Sequence, residues 1–223
     1  MPETPHIVSD VMTRTVVAVG RDAPFKEIVQ TLGQWHASAM PVLEGEGRVV
    51  GVVSEADLLP KEEFRDSDPD RFEQMRRLPD LAKARAVTAE ELMSTPAVTV
   101  HTDATLAEAA RIMAVRRVKR LPVVDAEGML QGIVSRGDLL KVFLRADEDI
   151  AEEVRRTVVA CLFPGLGHAV HVRVDEGVVT LSGELHDTAL IPVAARLARA
   201  VEGVVEVECH FRAPGHAGAA SPS

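Results

Sequence analysis

The sequence predicts an α+β protein in which two β-α-β-β-α repeats pack as a pseudo-twofold pair and a small α-β-β-α-β domain follows. Three observations predict this. Placing Met12 on Met93 aligns residues 10–59 with residues 91–140 without a gap, so the chain carries an internal duplication. Within each copy the apolar pattern moves between alternation and helical spacing in the same order. After Arg145 that order ends and a new one begins.

The duplication is read from its punctuation. Asp22-Ala23 meets Asp103-Ala104, Glu27 meets Glu108, Pro41-Val42 meets Pro122-Val123, and Gly47 and Gly51 meet Gly128 and Gly132. Asp-Leu-Leu closes both copies. Glycines, prolines and acids kept in phase over such a length mark common origin rather than coincidence.

Each copy opens on a short β-rich run, Val16 to Val19 or Val98 to Val100. A helix follows, with Phe25, Ile28, Val29 and Leu32 on its apolar side in copy one and Leu106, Ala109, Ala110 and Met113 in copy two. Thr105 and Glu108 form a T-x-x-E capping box that starts the second of these helices. Trp35 is expected to pack at the end of the first. Met40 to Leu43 and Val49 to Val53 flank the turn Glu44 to Gly47; Leu121 to Val124 and Leu130 to Val134 flank Asp125 to Gly128, so each pair is a hairpin. A last helix follows Ser54 or Ser135. A three-stranded sheet of this size leaves a face to cover, and packing two copies through their sheets buries both.

The repeats span 8–59 and 88–144. Between them the connector, 60–87, is dense in both charges and carries Phe64, Phe72 and Met75 as apolar anchors, the pattern of a solvated loop with a surface helix. The third domain spans 147–212. Its opening, ADEDIAEEVRRTVVACL, is an acid-capped helix with Ile150, Val154, Val158 and Leu162 on one face. HAVHVRV and VVTLSGEL alternate on either side of Asp175-Glu176-Gly177, which makes a further hairpin. Thr188 to Val201 is an Ala- and Arg-rich helix that Gly203 terminates, and Val205, Val207 and Cys209 alternate as the final strand. The Gly/Ala/Ser/Pro tail, 213–223, has the composition of a disordered segment.

With a formal net charge of −9 and 46% hydrophobic residues, the chain can fill real cores. Its acidity disfavours non-specific binding to nucleic acid and to an anionic bilayer, because both are bound through basic surface, and leaves the local run Arg116 to Arg120 as the weaker basis for an RNA or DNA contact. No apolar run approaches the roughly 20 residues of a membrane span, and MPETPHIVSDVM lacks the charged and apolar regions of a signal peptide. The expected location is the cytoplasm. Cys161 and Cys209 stand far apart, outside any C-x-x-C spacing, and are expected to be buried reduced thiols. His168 and His171 share an H-x-x-H spacing without a third ligand nearby, so they read as surface histidines and no metal is expected. The chain has no G-x-S-x-G, no Walker loop and no nucleophile set. Neither enzymatic activity nor a resident cofactor is expected.

The chemistry lies in a repeated heptapeptide, GVVSEAD from Gly51 and GIVSRGD from Gly132. Glycine lets the chain approach a ligand closely. Ser54 or Ser135, at a strand-to-helix junction, sets a hydroxyl beside unsatisfied helix N–H groups, where phosphate is favoured. Asp57 or Asp138, one turn on, offers two acceptor oxygens to the paired hydroxyls of a ribose, as an acid does in dinucleotide folds. The same residues suit a capping box. Capping and nucleotide contact both stand as readings of each serine.

With V-M-T at the start of copy one, a hydrophobic residue and Pro-Val before each hairpin turn, and the repeated heptapeptide, residues 8–144 resemble a pair of CBS domains, the cystathionine-β-synthase type that pairs as a Bateman module. DEGVVTLSG, the Ala-rich helix and GVVEV make the C-terminal domain similar to a BON domain. The first resemblance implies a regulatory adenine nucleotide, AMP, ADP, ATP or another adenosyl compound, in clefts that the repeats share. Ser and Asp come from one copy, and part of the adenine pocket from the first strand and pre-hairpin segment of the other. It also implies a homodimer through the CBS modules. The second resemblance implies phospholipid or envelope association; the acidity of the chain weighs against it, and an unidentified protein partner is the equal expectation.

The two clefts differ. Copy two carries Arg116, Arg117, Lys119 and Arg120 before its hairpin, where the resemblance places phosphate contacts; copy one has Trp35, His36, Ser38 and Ala39 there. Charge-assisted bonds to phosphate are the strong ones. The better site is therefore Ser135 and Asp138 with Lys119, Arg120 and Ile133, joined by Thr13, Val17, Ala37 and Ser38 from copy one. Ser54 and Asp57 form its weaker counterpart. The basic run also suits a helix end that complements its dipole. Two functions follow: a nucleotide sensor whose ligand changes the packing of the repeats, or a constitutive scaffold that keeps the motif only for folding.

Overall fold

The computed structural model describes residues 7–65, 77–165, 169–185 and 188–212. The chain forms two compact units, His6–Leu139 and one built from Leu140 onward. In the first, copy one runs α1 (Val8–Val11), β1 (Val19–Gly20), α2 (Phe25–Gln34), β2 (Ala39–Glu44), β3 (Arg48–Ser54) and α3 (Glu55–Glu63). The connector contributes α4 (Leu78–Arg85). Copy two repeats the order as α5 (Ala89–Leu92), β4 (Val100–His101), α6 (Leu106–Arg116), β5 (Arg120–Val124), β6 (Leu130–Ser135) and α7 (Arg136–Leu140).

Each copy holds a three-stranded sheet in which the first strand runs parallel to the second and the second antiparallel to the third. The hairpins fall where alternation and turn chemistry predict them. Their register sets Met40 against Val53 and Leu121 against Val134, all four buried. The first strands are shorter than expected. β1 makes only the pairs Val19↔Val42 and Gly20↔Leu43, because the chain before it bonds to the other copy: Thr13 bridges Ile133, as Ser94 bridges Val52.

A four-residue helix at the start of each copy is an addition to the predicted order, and it is exchanged between copies. The Val8 N–H donates to the Ala104 carbonyl (2.9 Å) and the Ser9 N–H to Thr102 (3.0 Å). Conversely, the Ala89 N–H donates to Ala23 (2.9 Å) and the Glu90 N–H to Arg21 (3.0 Å). The offset of Met12 from Met93 carries each of these bonds onto its counterpart, so the copies are related by a local two-fold. Packing follows the exchange: Ala89 and Leu92, fully buried, join the core of copy one with Ile28, Met40, Val42 and Val53. Neither copy closes its core alone.

The helix faces are narrower than their patterns suggest. Ile28 and Leu32 are buried, but Val29 is exposed, as is Ala110 in copy two, since one sheet covers only one stripe of each helix. Trp35 ends α2 at its C-cap and stands 56% exposed rather than packed. The Thr105 hydroxyl accepts the Glu108 N–H (3.2 Å), as the capping signal requires. Of the connector anchors, Phe64 is half-buried beneath Arg77, whose guanidinium lies 4.8 Å from the ring; Phe72 and Met75 lie outside the described residues.

The second unit contains a 3-10 turn (Lys141–Leu144), α8 (Asp147–Val154), β7 (Val170–Asp175), β8 (Val178–Glu184), α9 (Ile191–Arg199) and β9 (Glu206–Arg212). The sheet order is β7-β8-β9, with β8 antiparallel to β7 and parallel to β9. Two helices cover one face of this sheet, burying Ile150, Val154, Val179, Leu181, Ala194 and Ala198. Beyond Val154 the helix widens into a π turn, Arg155–Val159, before a last turn at Ala160–Leu162. The Thr157 hydroxyl donates to the Glu153 carbonyl (2.7 Å) and competes for the acceptor of the regular ladder. The shift buries Val158 and Val159 together and leaves Leu162 half-buried beside Phe163. Pro192, in the first turn of α9, starts that helix later than Thr188.

Glu176 and Gly177 turn the β7–β8 hairpin with φ of +48° and +76°, the two positive dihedrals of a two-residue turn that follows strand twist. The Asp147 carboxylate accepts both of their N–H groups (2.8 and 2.9 Å), tying the start of α8 to the hairpin tip. Arg145 donates to the Glu202 carbonyl (2.8 Å) and pairs with Glu153 (2.8 Å). Cys209 is half-buried and burial raises its thiol pKa, but Cys161 is exposed, against expectation. The tail expected at 213–223 and His168 lie outside the described residues. Among those residues no helix is long and apolar enough to cross a membrane.

Candidate functional site

Gly51 and Gly132 have a different role from the one expected. A Cβ on Gly132 would stand 2.6 Å from Met12 Sδ and 3.0 Å from the Thr13 carbonyl oxygen; one on Gly51 would collide with Met93 Sδ. The close approach that glycine permits is by the opposite repeat, at the seam where Thr13 meets Ile133 and Ser94 meets Val52. The Thr13–Ile133 bridge is reciprocal, with both N–H···O distances at 2.9 Å. Gly132→Ala is expected to cost about 1–3 kcal/mol by overpacking this seam, measured as a lowered urea midpoint; an unchanged midpoint would mean that the seam is loose.

At the strand ends both heptapeptides make the same local structure. Ser54 N–H and Oγ–H donate to Asp57 Oδ2 at 2.8 and 2.6 Å; Ser135 N–H and Oγ–H donate to Asp138 Oδ2 at 2.9 and 2.6 Å. Asp138 N–H in turn donates to Ser135 Oγ at 3.2 Å, which completes a reciprocal cap. Each serine thus commits its one hydroxyl proton to the acid.

The first N–H of each following helix is held by the pre-hairpin segment of the same copy. Glu55 N–H donates to the Ser38 carbonyl and Arg136 N–H to the Lys119 carbonyl, both at 3.1 Å. Lys119 and Arg120 therefore border Ser135, with Arg120 opposite Ser135 in the β5–β6 register. Thr13 reaches Ile133 from copy one, and Val17 follows it, half-buried, on the approach to β1. Ser38, with Ala37 before it, lies instead at the junction of its own copy beside Ser54. At Ser135 the neighbour from the opposite copy is the segment ahead of the first strand, and the pre-hairpin neighbour belongs to the same copy as the acid.

One further contrast was visible in the heptapeptides themselves. Arg136 follows Ser135 where Glu55 follows Ser54, and the Arg136 guanidinium donates to the Val118 carbonyl at 3.1 and 3.3 Å. Arg116, Arg117 and Lys119 are exposed, and Arg117 turns the chain with φ of +56°. Position 55 is acidic and position 136 basic, which widens the difference in charge between the clefts.

The sequence pattern carried no sign of Lys83. Its ammonium, on α4, forms an ion pair with Asp57 Oδ1. Asp57 is the single buried charged residue among the described residues, 7% exposed. α4 is held on α3 by Lys61 Nζ, which donates to the Ala84 carbonyl (3.0 Å), and by Arg77, which pairs with Glu63 (2.8 Å). The hydrogen bond from Arg77 lowers the Glu63 carboxyl pKa below its usual value. That pairing is present above the ordinary carboxylate pKa and is lost as pH falls through the depressed one.

The second unit carries an open groove of about 410 Å³ lined by Arg155, Val159, Ala160, Val170, His171 and Val172. Among the described residues no group of three His, Cys, Asp or Glu side chains could hold a metal ion.

Residues 8–61 and 89–145 match the CBS domain family, and residues 146–214 match the BON domain family. An uncharacterized protein of Methanocaldococcus jannaschii is 29% identical over 155 residues, 62% of this chain and 91% of the relative. The chloroplastic CBS domain-containing protein CBSX2 of Arabidopsis thaliana is 27% identical over 155 residues, 63% of this chain and 64% of the relative. The crystal structure of CBSX2 in complex with AMP superposes with a TM-score of 0.55 at 27% identity, covering 62% of this chain and 97% of that one.

Proposed function

This chain belongs to the CBS domain family and carries a BON domain at its C-terminus, and on that premise we propose that it is a non-catalytic regulatory protein that binds an adenine nucleotide between its repeats. The observation that carries the reading is the seam: Thr13 of copy one is bonded to Ile133, two residues before Ser135, while Lys119 and Arg120 border the same junction. The Asp138 carboxylate supplies the ribose acceptor and the basic run the phosphate contacts. AMP is the first ligand to test, since CBSX2 binds it. ADP, ATP and other adenosyl compounds share the groups that Asp138 and the bases would hold.

In this reading ligand changes the packing of the exchanged helices, which requires different affinities for two arrangements. The BON domain is the output, toward a protein partner or a phospholipid surface, and the chain works in the cytoplasm as a homodimer through its CBS modules. A scaffold role is favoured by one observation, that both serine hydroxyls are already engaged in helix caps.

Thermal unfolding of the full chain against AMP, ADP, ATP, S-adenosylmethionine, NADH and cyclic dinucleotides separates the two. A ligand at 100 times its Kd stabilises the native state by about 2.7 kcal/mol, a shift of several degrees. No shift with any compound would leave the scaffold reading, and light scattering on the same samples reads the oligomeric state.

A further inference from the structure

We propose that the open edge of β7 is a docking site for an extended acidic segment of a protein partner, which adds to the three-stranded sheet as a further strand beside Arg155. The inference rests on the reading of the second unit as an output toward a protein partner and is independent of nucleotide binding by the repeats.

The register of the hairpin says which groups face that edge. Asp175 and Val178 flank the two-residue turn Glu176-Gly177, so they form a hydrogen-bonded pair, and such pairs alternate along an antiparallel ladder. His171 and Arg173 therefore bond to β8 as Asp175 does, whereas Val170, Val172 and Val174 turn both N–H and C=O away from it. A separate contact agrees: the Val172 carbonyl accepts the Arg155 guanidinium (3.4 Å). Among the described residues no strand pairs with β7 on this side. A row of outward N–H and C=O groups is a template for strand addition.

The edge is also roomy and cationic. A groove of about 410 Å³ runs between Val159 and Ala160 of the widened helix and Val170 to Val172 of the strand. Ala160 is small and exposed, which leaves space for apolar side chains on alternate residues of an added strand. Arg155 is exposed at the groove and makes no ion pair among the described residues, since Arg145 takes the neighbouring Glu153. A carboxylate on the added strand would exchange its long contact with a neutral carbonyl for a charge-assisted one. Charge also argues against a second copy as the occupant. β7 paired with itself, antiparallel about Val172, would set His171 opposite Arg173 and bring both Arg155 guanidiniums to one centre.

Selection of short linear peptides from a phage-displayed random library against the full-length chain tests this, followed by fluorescence polarisation of the recovered peptides with wild type, Arg155→Gln, Arg155→Glu and Val172→Pro. Proline at 172 removes one outward N–H, a change that edge strands tolerate; N-methylated versions of the peptides test strand pairing without altering the protein. The expected peptides alternate apolar residues and carry Asp or Glu. Arg155→Gln should weaken them about tenfold and Arg155→Glu more, and N-methylation should abolish binding at alternate peptide positions only. Recovery of no acidic peptide, equal binding to Arg155→Glu, or indifference to N-methylation overturns the inference. So does a change in oligomeric state of the full chain on Val172→Pro, which would make a second copy the occupant. Binding to vesicles of phosphatidylcholine and phosphatidylglycerol that Arg155→Glu abolishes, with no peptide recovered, would assign the groove to lipid headgroups and likewise overturn it. Each of these outcomes leaves the nucleotide reading to its own test.

Discussion

Asp138→Ala is expected to weaken AMP binding by about 1.5–3 kcal/mol, roughly ten- to hundredfold in Kd, because it removes the charged acceptor for the ribose hydroxyls. The same change removes the cap that accepts Ser135 N–H and Oγ–H, which lowers stability by about 1 kcal/mol. Asp138→Asn separates the effects, since the amide oxygen can still cap. Asp57→Ala is expected to leave the affinity of the Ser135 cleft within about 0.5 kcal/mol, as for sites that share no partner. Equal losses from Asp57→Ala and Asp138→Ala would contradict the inequivalence of the clefts, whatever the ligand.

Gly183→Ala is expected to be the most destabilising single change in the second unit. Gly183 has φ of +148°, a dihedral that side chains rarely adopt, and a Cβ there would collide with the Ala169 carbonyl oxygen and stand 3.0 Å from its carbon. Because the obstacle is backbone, no rotamer relieves it. Gly183 lies opposite Val170 on β7 and Phe211 on β9, so relief by movement would break pairing on both sides of the central strand. Strain and overpacking together suggest a loss of about 3 kcal/mol or more, read from urea unfolding of the full chain. AMP affinity should be unchanged, because the binding junctions lie in the first unit. A loss below about 0.5 kcal/mol would show that the hairpin end is pliable.

What the sequence made legible was local or periodic. The duplication, the hairpins, the cap at Thr105 and the Asp175-Glu176-Gly177 turn are written in neighbouring residues, and each is present. The exchange of α1 and α5 was not legible, because four-residue helices are too short to show a period and their partners lie far along the chain. T-A-E-E at Thr88 was the available signal, a capping box read only for the longer helix at Thr105. Gly51 and Gly132 were read as points of close approach to a ligand, whereas Met93 and Met12 of the opposite repeat approach them, contacts that lie too far along the chain for sequence to show. Lys83 stood in a charged connector among many lysines and arginines, and only packing of α4 on α3 selects it as the partner of Asp57. The charge difference between the clefts was legible at positions 116–120, and Glu55 against Arg136 extends it.

Equilibrium dialysis of AMP against the purified full chain at fixed salt tests the central claim most directly. Saturable binding approaching one nucleotide per chain, lost in Asp138→Ala and retained in Asp57→Ala, is the result expected of a regulatory cleft at Ser135 and Asp138. Absence of saturable binding by AMP and by every other adenosyl compound would contradict it and leave both heptapeptides as helix caps.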